Sequence, residues 1–146
     1  MRVYIPAKAS QLSEIASGQW DPGDAFAVTE SMLELAPQLD PDEVAEEVIH
    51  VAAMQAALEL GSPLRVVVVA DLPRADVRPN PEAHPAAVLL GDVIPRDAIA
   101  CAFVDEPEAE SDIAGALAGD ESASDRLGER DLLWYDVSEL ASIALA

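Results

Sequence analysis

Four consecutive valines at positions 66–69 constrain this chain more than any other feature of its sequence. β-Branched side chains sit well on a pleated backbone and are crowded against the preceding turn of a helix. A strand with one wet face alternates apolar and polar residues. Apart from Arg65, the stretch 64–70 does not alternate. It reads as a strand covered on both faces, so the rest of the chain must supply a sheet with further material packed on it.

The second anchor is a helix over residues 41–60. Asp40 is a good N-cap, Pro41 occupies the first helical position, and Glu43 stands where a capping box places its carboxylate. Asp42, Glu43, Glu46 and Glu47 fall in the first turns, where the helix dipole favours negative charge. Val44, Val48, Ile49 and Ala52 share a face, the second half is nearly all apolar, and Gly61 stops the helix. Such a helix belongs at the centre of the core.

Shorter elements follow from periodicity and punctuation. Strands are predicted at 2–5 (stopped by Pro6), 25–29, 86–90, 97–104 and 132–135, and helices at 9–16, 30–36, 107–118 and 137–145. Turns fall at 19–24 and at Gly91–Asp92. Residues 71–85 hold four prolines (73, 79, 81 and 85) and read as a rigid Pro-rich loop, whereas the polar stretch 120–130 reads as a mobile loop. The expectation is an α+β fold in one domain over 1–146: a single mixed sheet of about six strands, helices packed on it, and one long central helix. An internal echo links Val-Tyr-Ile at 3–5, leading to Leu12 and Ile15, with Trp-Tyr-Asp at 134–136, leading to Leu140 and Ile143.

Charge limits the partners. The 28 acidic residues face 8 basic ones, for a formal net charge of -20, and Lys8 is the only lysine. Affinity for phosphate backbones and anionic membranes rests on Lys and Arg, so nucleic acid and membrane surfaces are not expected partners. Arg65, Arg74, Arg78 and Arg96 are interleaved with Asp71, Asp76, Asp92 and Asp97, which prevents a basic patch. The opening residues lack the apolar core of a signal peptide, and no apolar run approaches the roughly 20 residues of a membrane helix. One cysteine, Cys101, cannot form an internal disulfide, which fits a reducing cytoplasm.

Residues 2–7 (Arg-Val-Tyr-Ile-Pro-Ala), 26–29 (Phe-Ala-Val-Thr) and 132–135 (Leu-Leu-Trp-Tyr), the last followed by Glu139-Leu140, make the whole chain similar to a family of small uncharacterised actinobacterial proteins. The alanine-rich, arginine-over-lysine composition agrees with such a source. The family has no assigned activity, so the resemblance implies a lineage and a one-domain architecture and carries over no functional residue.

Residue patterns that could carry chemistry are few. Glu47-x-x-His50 has the spacing of a di-iron ligand pair, but no second pair exists, and Glu46 would hold His50 on the surface. No metal or other cofactor is expected. Cys101 lies among alternating apolar residues and reads as a small core hydrophobe; a reactive thiolate would need a nearby cation or a helix N-terminus, and His84, on the loop before the preceding strand, is the candidate. There is no Gly-x-Ser-x-Gly elbow and no glycine-rich phosphate loop. His84, Asp105 and Glu106 are the ligand-binding candidates, the carboxylates because they follow a strand where α/β proteins build sites. Trp134 and Tyr135 are the partner-binding candidates: adjacent on a strand, they face opposite ways, so one can remain outside. The expectation is a non-catalytic binding or adaptor domain acting through protein contacts, either with a protein partner or as a homodimer. The alternative is a small-molecule enzyme or ligand-binding protein that uses strand-end carboxylates.

Overall fold

In a computed structural model that describes residues 1–18, 20–91 and 93–143 (Ala141 by its backbone alone), the valine run lies in strand β3, Val66–Asp71, near the middle of a seven-stranded sheet. The strands are β1 Arg2–Ala7, β2 Ala25–Phe26, β3, β4 Val77–Pro79, β5 Ala87–Leu90, β6 Ile99–Val104 and β7 Leu133–Asp136. Their order across the sheet is β4-β5-β2-β1-β3-β6-β7. The helices are α1 Leu12–Ser17, α2 Glu30–Leu35, α3 Pro41–Leu58, α4 Glu110–Leu117, α5 Glu121–Glu129 and α6 Leu140–Ile143.

The period-two geometry of β3 divides its valines between two cores. Val66, Val68 and Ala70 point to the face covered by α1 and α6, where they meet Val3, Ile5, Leu12, Ile15 and Leu140. Val67 and Val69 point to the face covered by α3, where they meet Tyr4, Val44, Val48 and Ala52. A smaller third core joins the end of α3 to α4 and α5 through Ala57, Ala109, Ile113 and Leu127.

The α+β class and the long central helix stand, with two differences in the sheet. It has seven strands, and every pairing is antiparallel where a mixed sheet was expected. A continuous apolar run reports that both faces are covered; it does not report the direction of the neighbours. The seventh strand is β4, a three-residue edge inside the segment expected to be an uninterrupted Pro-rich loop. Pro79 is tolerated there because an edge strand has one side with no ladder to feed. Pro6 likewise fails to end β1: β2 pairs with β1 only at Tyr4, so at Pro6 the strand has β3 alone beside it.

The stretch 120–130 is a helix, α5, and not a mobile loop. Asp120 caps it by accepting from the Ser122 and Ala123 amides at 2.9 and 3.4 Å. Ala123 and Leu127, four apart, form its buried stripe. Gly115 lets α4 approach, since a Cβ there would lie 2.9 Å from that of Ala123. The capping box of α3 forms as read, with Asp40 and Glu43 exchanging bonds of 3.0 and 3.1 Å. Both units of the internal echo are a strand, a 3-10 turn and a short helix, and α1 packs against α6. Of the final predicted helix, residues 144 and 145 lie outside the described residues, as do Gln19 and Asp92 of the predicted turns.

Candidate functional site

Register brings two charged side chains together in the interior. Val66 pairs with Val104, so Arg65, just before β3, lies beside Asp105, just after β6. The Asp105 carboxylate accepts from the Arg65 backbone amide at 2.9 Å and from Nε and Nη2 at 2.8 and 2.9 Å. Their side chains are 2% and 0% exposed. Arg65 Nη2 also donates to the Arg130 carbonyl at 3.3 Å. Arg130, at the end of α5, reaches Glu106 at 3.1 Å and Asp112 at 3.2 Å, and Arg126 reaches Asp112 at 2.8 Å. The bond from Arg126, with that from Arg130, holds the Asp112 carboxyl below the usual carboxylate range.

Three arginines and three carboxylates thus interlock β3, β6, α4 and α5. Asp105 has both oxygens engaged, and Glu106 accepts from Arg130, so these ligand candidates are occupied by the fold itself. Sequence reasoning missed Arg65 as a partner. The available signal was its position as the one charge in an otherwise apolar buried stretch.

His84 sits at the opposite side of the sheet. Its Nδ1 accepts from the Ala86 amide at 3.0 Å, and its ring meets Phe26 edge-on with centroids 5.9 Å apart. It lines a small hollow of about 170 Å³ with Asp24 and Gln55, which are themselves hydrogen-bonded at 2.9 Å. Four strand intervals separate β5 from β6, roughly 19 Å at the usual spacing, so His84 does not reach Cys101. Cys101 is buried, and loss of hydration pushes its thiol up. Glu47 and His50 lie on the exposed side of α3, at the rim of an open polar hollow that Arg130 and Asp131 also line. No group of three or more metal-ligating side chains occurs among the described residues.

The C-terminal strand is a different kind of surface. β7 pairs with β6 on one side, and among the described residues no strand borders its other side. Trp134 is 58% exposed and Leu133 is 42% exposed. Trp134 pairs with Phe103 on the α3 face. Tyr135 points to the other face and packs on the core there. At the opposite edge of the sheet β4 carries Arg78 and Pro79, devices that discourage further pairing. β7 carries neither.

Below Tyr135, among the described residues, the sheet face beside α1 and α6 is open. The gap is a cleft of about 640 Å³ at the ends of β3 and β6. Its apolar walls include Leu64, Val104, Pro107 and Ile143; Ser10, Glu110, Tyr135 and Glu139 supply polar groups. Asp105 also borders it, neutralised from behind by Arg65.

The chain matches DUF6912, a family of unknown function, over residues 1–144, and belongs to it. No curated protein and no solved structure matches the chain. Among the described residues, no helix is long and apolar enough to cross a membrane.

Proposed function

We propose that this member of a family of unknown function is a non-catalytic, acidic binding domain that engages a protein partner along the outer edge of β7. The observation that carries the reading is the combination, on one short strand, of an edge that no other strand borders among the described residues with an exposed tryptophan. A free edge offers main-chain hydrogen bonds to an extended segment, and flanking side chains give selectivity. Aromatic side chains have only two rotatable bonds and so lose little entropy on contact for the large area they bury, which is why they recur at interface hot spots. The strand-end carboxylates Asp105 and Glu106 are engaged by Arg65 and Arg130, which favours binding at β7 over chemistry at those two groups.

A net charge of -20 favours a partner that presents basic groups. It disfavours self-pairing, which would bring two such chains together, and it disfavours nucleic acid, whose backbone needs cations this surface lacks. A cytoplasmic setting belongs to the same reading, supported by a single buried thiol. So does an actinobacterial source, supported by composition. The small-molecule alternative through His84, Asp105 or Glu106 has weaker support, since each of the three already has a protein partner.

The test is to capture a partner with the tagged protein and map its footprint by hydrogen exchange. Protection should include residues 133–136. Trp134→Ala should weaken binding at least about tenfold, as truncation of a hot spot does, without lowering the melting temperature appreciably. A footprint confined to the acidic face of α3 around Glu43, Glu46 and Glu47, with β7 unchanged, would refute the assignment.

A further inference from the structure

The geometry of the cleft beneath Tyr135 points to a second site, and we propose that it binds an organic cation with an apolar body, such as an alkylammonium. Its volume of about 640 Å³ lies within the usual range of small-molecule sites, roughly 300–1,000 Å³. Leu64, Val104, Pro107 and Ile143 form a surface suited to hydrocarbon. The charge at its rim is of one sign. Glu110 and Glu139 border the cleft and, among the described residues, have no ion-pair partner, in contrast to the occupied carboxylates Asp105, Glu106 and Asp112. No lysine or arginine is among the lining residues.

An anionic ligand would meet two carboxylates and the field of the whole chain, and a neutral one would leave both carboxylates unused. An inorganic cation is a poor fit as well, because such ions need several ligating groups converging at one point, and no such cluster occurs among the described residues. An ammonium spreads its charge, accepts partners several ångströms apart, and can also lie against the Tyr135 ring. Glu110 and Glu139 take the charged end, and the apolar walls take the chain.

The site lies beside the β7 edge but does not depend on it, so it can fail or succeed independently of the protein-binding role. The experiment compares hexylammonium, hexanol and hexanoate at pH 7 and 0.15 M salt by titration calorimetry, with amide chemical-shift mapping. Hexylammonium should bind at least about tenfold more tightly than hexanol, hexanoate should not bind, and shifts should centre on Leu64, Val104 and Tyr135. Glu110→Gln and Glu139→Gln should each weaken binding about twofold to fivefold, the range of a partly exposed ion pair. Ser142→Trp, a change at an exposed position on the cleft wall, should block it while the circular dichroism spectrum stays native. Equal binding of all three probes, no binding at millimolar concentration, or binding that survives both Gln changes and Ser142→Trp would overturn the proposal. The last of these outcomes would mean only diffuse attraction to an acidic surface.

Discussion

Removing the Asp105 carboxylate should unfold this protein more effectively than any other single charge change. Asp105→Asn leaves the Arg65 guanidinium 2% exposed and still positive, with only the Arg130 carbonyl left as an undisturbed acceptor. Breaking a buried pair in this way costs about 3–5 kcal/mol. A domain of this size has roughly 5–15 kcal/mol in total, so about a fifth or more of its stability would go. At about 3–4 °C per kcal/mol for a chain of this length, the melting temperature should fall by roughly 10–20 °C. Urea unfolding followed by tryptophan fluorescence is a suitable assay, because Trp20 is 2% exposed and reports the core. With a denaturant slope of about 2 kcal/mol/M, the midpoint should drop by about 1.5–2.5 M. The paired replacement Arg65→Met with Asp105→Leu removes both charges and should recover most of the loss, giving a large coupling energy in a double-mutant cycle. Single changes that each cost under about 1 kcal/mol, or a double variant as unstable as the sum of the singles, would refute the claim that desolvated charge sets the penalty.

Asp112 should supply an acid-sensitive part of the stability. Its folded value is depressed chiefly by Arg126, so its contribution is complete above the unfolded value of about 3.9 and is lost as pH falls through the folded value. Asp112→Asn should flatten the decline of the urea midpoint below about pH 4; an unchanged acid slope would contradict this. Cys101, with its thiol raised by burial, should react slowly with a disulfide reagent in the folded protein and quickly in denaturant, and Cys101→Ala should cost about 1 kcal/mol. Asp120→Ala removes the cap of α5 and should destabilise by about 1 kcal/mol; no loss would argue against an ordered helix at 121–129.

The parts of the fold legible from sequence are those in which a local pattern has one solution. The valines of β3 could only be a strand with two covered faces, and Asp40-Pro41 with Glu43 could only open a helix. Strand direction is not local. Nothing in residues 66–71 says that β1 and β6 run opposite to them, since pairing direction depends on how the intervening chain returns. α5 was hidden for a related reason. Its sequence is polar because only Ala123 and Leu127 are buried, and two apolar positions four apart are too few to outweigh seven wet ones without knowledge of α4.

The candidate sites divide along the same line. Trp134 and Tyr135 were legible because adjacent residues on a strand must face opposite ways, whatever the strand order. Asp105 and Glu106 were found by position and misjudged in availability, because their partners Arg65 and Arg130 are 40 and 24 residues away. In a chain with 28 acidic and 8 basic residues, a carboxylate is common and an arginine is scarce. Among the described residues four of those eight, Arg2, Arg65, Arg126 and Arg130, form ion pairs, and three of the four meet near the ends of β3 and β6. The informative question for so acidic a chain is therefore where the few cations go. Carboxylates near them are structural, whereas Glu110 and Glu139, at a cleft without them, have no ion-pair partner among the described residues, which is the basis for proposing a cation from outside.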